Sequence, residues 1–357
     1  SRRIPGGSFY SNVLLKSGRI LPMRKNIPSS ISILFLFVFI FTSCTPPSPA
    51  PTATLAATFT PVATITPEPT ASNTPLPTAT ALPAPERARY ILNTSIDYDA
   101  HIVTVDETIY YPNHTGNQLN ALVIALVPNL WEGSFNLSGL SINSTPITTY
   151  NISGQRLDIS LPSFFKPEEV MIINIQYTLN LPFAEQEDPS VSRPRIYGYT
   201  RRQLNLTNWY PFVVPYVNGD WVLHDPWYYG EHLVYDSADF EVNVKFADPA
   251  NAPIVAASGV PEQQADSTRY TITAARTFAL AASPEFQVSS LQVGDIIVAS
   301  YYFPLSKIAG RAALQASAEA LQIYSQKYGP YPHKTLSMVM GDFNDGMEYS
   351  AFFYLSR

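Results

Sequence analysis

The residues best placed to do chemistry lie in the run Gly-Asp-Phe-Asn-Asp-Gly-Met-Glu-Tyr, residues 341–349. Glu348 stands there on an otherwise apolar, strand-like stretch that continues through Phe352, Phe353 and Tyr354. A carboxylate fixed on a strand can pair with a cation. By residue type alone, Glu348 reads as an exposed strand-end carboxylate. A second set of candidates is His224 and His232, with Asp225 and Glu231 beside them. Imidazole and carboxylate are metal-ligand types, but this spacing fits no short helical ligand pair. Exposed or packed histidine is the better reading for both. His101, His114 and His333 are scattered along the chain.

The elements that would position Glu348 can be read by periodicity. Lys334–Met340 is a short strand running into the 341–349 loop, and the chain beyond Glu348 is a further strand. Upstream, Ser306 to Tyr328 is helical. Ile308, Ala312, Ala316, Ala320 and Ile323 step at three and four, with Leu314, Leu321, Tyr324 and Tyr328 widening the stripe. Gly329 and Pro330 end it. A strand at Ile296–Phe303 precedes the helix, so a strand–helix–strand–loop–strand unit takes shape from residue 288 onward.

Residues 89–287 read as β. In Met171–Pro182, apolar side chains at 171, 173, 175, 177, 179 and 181 alternate with polar ones. That is a half-buried antiparallel strand. Phe240, Val242, Val244 and Phe246 repeat the device. Thr148–Leu161 is a hairpin turning at Ser153-Gly154. Further strands are expected at Ile91–Tyr98, Ile102–Tyr111, Leu119–Val127, Arg269–Ala274 and Thr277–Ala282. Many strands with Gly, Pro and Asn turns imply a mainly β fold, a sandwich or a large curved sheet. The aromatic run from Trp209 to Tyr229 either packs a domain junction or offers a carbohydrate-stacking surface; packing is the expected role. Asn93, Asn113, Asn136, Asn143, Asn151 and Asn205 begin Asn-x-Ser/Thr triplets and are expected as surface residues in turns.

The chain has 357 residues and a formal net charge of −6, which argues against a nucleic-acid role. Its one cysteine excludes an internal disulfide. Residues 1–22 are set aside as an upstream segment outside the natural gene. From Met23, a basic start and a short apolar run over Ile31–Phe41 lead to Cys44. The run is shorter than the roughly 20 apolar residues a spanning helix needs, so it suits a secretory signal. Phe41-Thr42-Ser43-Cys44 resembles a bacterial lipobox, which implies lipidation at Cys44, a membrane anchor and an extracytoplasmic location. Residues 45–88 are Pro/Thr/Ala-rich, cannot bury a core and favour extended polyproline II. At roughly 3.1 Å per residue they could hold a domain on the order of 100 Å from a membrane.

Taken together, Tyr328-Gly-Pro-Tyr-Pro, the short strand after it and Gly346-Met347-Glu348-Tyr349 resemble the zinc aminopeptidases of the membrane alanyl aminopeptidase family. Upstream, 208–216, 230–246 and 277–286 also look like that family's saddle-shaped N-terminal β domain. The resemblance covers about Tyr90 to Arg357. It implies a β-sandwich over 89–287 and the start of a thermolysin-like α/β catalytic domain over 288–357. It places Asp345–Tyr349 on the family's Gly-x-Met-Glu-Asn motif, with Asp345 for its Gly and Tyr349 for its Asn. Glu348 would then bind the substrate's α-ammonium, Gly346 would let the peptide approach the backbone, and Met347 would pack beneath the strand. The family's chemistry also needs a helical His-Glu-x-x-His that binds zinc, and this sequence contains none. The expectation is therefore a fragment of a zinc aminopeptidase acting on peptides, cut before its zinc motif and itself inactive, with zinc in the full-length parent only. The alternative is a membrane-anchored β-sandwich lipoprotein that binds partners without catalysis.

Overall fold

The computed structural model describes residues 87–184, 196–227 and 231–356. The signal-like segment, Cys44 and the Pro/Thr/Ala-rich spacer lie outside the described residues.

Alternating sequence produces an eight-stranded sheet. Its strand order is Val260–Gln263, Thr268–Ala275, Ala238–Phe246, Ala88–Asp97, Ile102–Pro112, Val170–Asn180, Phe135–Ile142, Thr145–Pro146. Met171, Ile173, Ile175, Tyr177 and Leu179 face the core from the Val170–Asn180 strand. The sheet departs from an all-antiparallel reading at one place. Ala88–Asp97 pairs parallel with Ala238–Phe246. A parallel neighbour needs a long crossover, and here the connection contains most of the remaining β structure.

Opposite this sheet, Leu119–Ala125 and Arg156–Phe165 lead a four-stranded sheet. Leu122, Ile124, Leu157 and Ile159 meet Ile109 and Ile175 in one buried cluster, which makes the sandwich. The aromatic run expected to pack does so. Trp209, Tyr210 and Phe212 are all buried in that cluster, while Trp227 stays exposed.

A third sheet joins Ile254–Ala257, Leu280–Ser283, Leu204–Leu206 and Gly198–Tyr199. Its side chains alternate between two cores. Ala257, Leu280 and Ala282 face the sandwich. Ala256 and Ala281 face a second cluster with Phe286, Phe303, Phe343 and Phe352. Small residues are needed because this sheet is covered on both sides.

The second cluster belongs to a five-stranded sheet ordered Gln287–Val293, Ile296–Tyr302, Thr335–Met340, Phe352–Leu355, Met347–Tyr349. Its three central strands are parallel. The helix Lys307–Tyr328 makes the crossover. Its buried side is not the broad stripe that periodicity suggested. Gly310, Leu314, Ala318 and Leu321 are buried. Ile308 is 88% exposed and Tyr328 82%. An alanine-rich helix has two similar faces, and close approach selects the one carrying Gly310. A Cβ there would stand 2.3 Å from the Tyr302 ring, and Ser300 Oγ donates to the Gly310 carbonyl at 2.9 Å. Among the described residues, no helix is long and apolar enough to cross a membrane.

Two asparagines expected in surface turns are buried instead. Asn113 donates from Nδ2 to the carbonyls of Asn117 and Phe165, both at 2.9 Å, tying two loop ends together. Asn205 is fully buried on the central sheet.

One charged residue type breaks the core pattern. Glu107 is fully buried, between Leu92 and Ile175 across the sheet. Burial pushes its carboxyl well above the usual range, and the Tyr177 hydroxyl acts against that push. Tyr90 and Tyr210 also face it.

Two predictions follow from packing. The raised folded-state pKa of Glu107 means that the native protein binds more protons than the unfolded chain above about pH 4.3. Its contribution is therefore fully favourable below that pH and is lost as pH rises toward the folded-state value. Glu107→Gln lacks this slope. In urea melts from about pH 4 to 8, the variant should gain on the wild type by up to about 1.4 kcal/mol per pH unit. A pH-independent difference would contradict the buried neutral acid. Gly310→Ala improves helix propensity yet should lower stability by roughly 1–3 kcal/mol through overpacking against Tyr302. A stabilised variant in the same melts would show that the helix is seated differently.

Candidate functional site

Glu348 lies on the edge strand Met347–Tyr349, which pairs antiparallel with Phe352–Leu355. A two-residue connection, with Ala351 at φ +56°, turns the chain back. Strand alternation then separates the side chains. Met347 and Tyr349 are half-buried and pack against the second core. Glu348 points away and is exposed. Nothing inside the fold demands glycine at 346. A Cβ there would meet only the Tyr354 carbonyl oxygen, at 3.4 Å. The absence of a side chain leaves the outward approach to this backbone open.

The loop before Glu348 is anchored to the β layer at both ends. At its start, Arg202 forms an ion pair with Asp342, whose side chain is only 9% exposed. The same guanidinium lies 3.9 Å from the centre of the Phe303 ring. At its end, Ser350 Oγ accepts from the backbone N–H groups of Arg276 at 3.0 Å and Thr277 at 3.3 Å. The Ser350 N–H donates to Thr277 Oγ1 at 3.0 Å.

These anchors bring Glu348 to a cavity of about 160 Å³. Its lining includes Glu348, Tyr349, Glu231, His232, Tyr235 and Asn208. No lysine or arginine lines it. The Tyr235 hydroxyl donates to Asn208 Oδ1 at 2.7 Å. Burial pushes the Tyr349 phenol up, and the nearby carboxylates of Glu231 and Glu348 push it the same way. Tyr235 is raised by burial, by Tyr349 and by Glu231. Both phenols therefore stay protonated and uncharged. Burial lowers His232, assisted by His224 and opposed by Asp225. Its Nε2 has no hydrogen-bond partner among the described residues. The result is a small, acidic hollow whose carboxylates suit it to a compact organic cation.

Of the residues singled out by sequence, Gly346, Met347, Glu348 and Tyr349 stand together here, and Cys44 lies outside the described residues. The sequence offers His224 and His232 as candidates, with Asp225 and Glu231 beside them. The fold places Glu231 and His232 in the lining of the same hollow as Glu348, while His224 stays outside it. No short motif spacing announces a contact made across more than a hundred residues; only the order of Gly230-Glu231-His232 after the aromatic run hinted at it. Although two carboxylates and an imidazole line one cavity, no group of three His, Cys, Asp or Glu among the described residues could hold a metal ion. These residues do not fit a zinc site, and no step is derived through one.

Asp342→Ala should cost roughly 2 kcal/mol. That is less than loss of a fully buried pair, because the Arg202 side chain keeps 31% exposure. Denaturant melts measure it, and an unchanged midpoint would mean that the pair does not anchor the loop.

No family model matches the sequence, and no curated protein does. Solved structures do share the fold. An M1 zinc metallopeptidase from Deinococcus radiodurans aligns with TM-score 0.50 at 16% identity, over 76% of this chain and 61% of that one. A mutant of the M1 zinc metallopeptidase from the same organism gives 0.50 at 15% identity, over 76% and 60%. A mutant two-domain M1 zinc metallopeptidase bound to L-arginine gives 0.50 at 16% identity, over 76% and 60%. The chain thus spans about 60% of the length of these structures. The described residues have the mainly β architecture of M1 metallopeptidases.

Proposed function

We propose that this chain is the N-terminal part of a zinc-dependent aminopeptidase that removes N-terminal residues from peptides outside the cytoplasm. One observation carries the reading: Glu348 and Glu231 line a single acidic hollow with no lysine or arginine in its lining. An exopeptidase must measure from the end of a chain. A peptide's free α-ammonium is the group that marks that end, and carboxylates at a fixed place grip it through charge-assisted hydrogen bonds.

In this reading Glu348 and Glu231 bind the ammonium from two sides. Tyr349 and Tyr235 remain neutral and add no charge to the hollow. Low-pKa His232 keeps a competing positive charge out of the hollow at neutral pH. The open backbone at Gly346 lets the first peptide unit lie along the edge strand. With the ammonium held, the first peptide bond stands at one set distance from the hollow, and longer or blocked ends do not. Zinc would belong to the complete protein in this reading, as the M1 zinc metallopeptidases of similar fold suggest. Lipidation at Cys44, with the Pro/Thr/Ala-rich spacer behind it, would tether the enzyme to a membrane on the outer side.

Glu348→Gln in the complete protein tests the reading. It keeps shape and removes charge, so kcat/KM on an aminoacyl-p-nitroanilide with a free amino group should fall roughly 10- to 100-fold, the worth of a hydrogen bond to a charged group. Undiminished turnover would contradict it.

A further inference from the structure

An edge strand of three residues, paired on one side, cannot hold a carboxylate in place by itself. The fold supplies a second support. On the strand Leu204–Leu206, the two leucines face the sandwich core. The alternating side chains Gln203, Asn205 and Thr207 face the other way and are 1%, 0% and 3% exposed. Buried polar side chains take partners, and all three reach the segment that carries Glu348, two of them through hydrogen bonds. Gln203 Oε1 accepts the Asp342 N–H at 2.8 Å. Asn205 Oδ1 accepts the Tyr354 hydroxyl at 3.0 Å. The Thr207 hydroxyl lies beside the Tyr349 phenol and acts on its titration. Asp342 opens the loop, Tyr349 follows Glu348, and Tyr354 pairs with Met347 across the hairpin.

Stability alone does not account for this ladder. Gln203 Nε2 and Asn205 Nδ2 are buried without a partner among the described residues. Replacing both members of a pair by apolar groups of similar shape would remove that cost. They would also form a seam that can slide, whereas directional hydrogen bonds at a period-two spacing admit one register. The strand that bears them is itself paired with Leu280–Ser283 and so offers a rigid edge.

We propose that Gln203, Asn205 and Thr207 are positioning residues that set the register of Glu348 in its hollow. The proposal rests on the reading of Glu348 as the ammonium ligand. The ladder joins the central sheet to the segment that carries the carboxylate.

Asn205→Leu and Thr207→Val test it in the complete protein, with Thr207→Ser as the conservative control. Expected is a rise in KM for a free-amino aminoacyl-p-nitroanilide of roughly 10-fold with kcat less affected, a melting temperature close to wild type, and recovery in Thr207→Ser. Added to Glu348→Gln, the same substitutions should raise KM no further, because the group they position is gone. A rise of equal size in both backgrounds, a KM change matched by a general fall in melting temperature, or no change would overturn the proposal. Should Glu348→Gln itself leave KM unaltered, the ammonium reading fails, and amide exchange in the 357-residue chain decides the ladder separately. Faster exchange of residues 341–356 in Thr207→Val supports registration, and unchanged exchange overturns it.

Discussion

A carboxylate works as a ruler only if its distance from everything around it is constant. Glu348 stands on the least supported kind of element, a short edge strand, and most of the surrounding fold compensates for that. Below it, Met347 and Tyr349 pack into the second core. Before it, Asp342 is tied to Arg202. After it, Ser350 exchanges hydrogen bonds with the backbone and side chain of Thr277. The Arg202 and Thr277 contacts come from the β layer, so the site exists only when the β layer and the α/β layer are docked.

The docking depends on the central alanine-rich sheet. It is covered on both sides, so its strands bury alternate residues in two different cores. Small side chains let both layers approach, and polar ones at Gln203, Asn205 and Thr207 fix where they meet. The acidity of the hollow follows from this junction. Glu231 comes from the β layer and Glu348 from the other, and neither layer alone assembles the pair.

Much of this was legible in sequence, and the gaps have physical causes. Strands with one wet face show clean alternation, so Met171–Leu179 and Phe240–Phe246 could be read directly. The helix end is marked by Gly329-Pro330, and the helix occupies Lys307–Tyr328. Which helix face is buried is a tertiary matter, settled by how closely Gly310 meets Tyr302; of the stripe read by periodicity, Leu314 and Leu321 are buried while Ile308 and Ile323 are exposed. The parallel pairing of Ala88–Asp97 with Ala238–Phe246 leaves no trace in either strand. Asn113 and Asn205 carry a surface-like residue type into buried positions because backbone or side-chain partners await them. In the site, Glu348 was found through its neighbours at 345–349. Glu231 was passed over because its counterpart is remote in sequence.

The central claim is that two carboxylates from different layers grip one ammonium. A double-mutant cycle in the complete protein, with Glu231→Gln, Glu348→Gln and both together, measures this through kcat/KM on a free-amino substrate. Shared grip predicts strong coupling, with the double variant losing clearly less than the two single losses combined. Independent, additive losses, or a silent Glu231→Gln, would contradict the account.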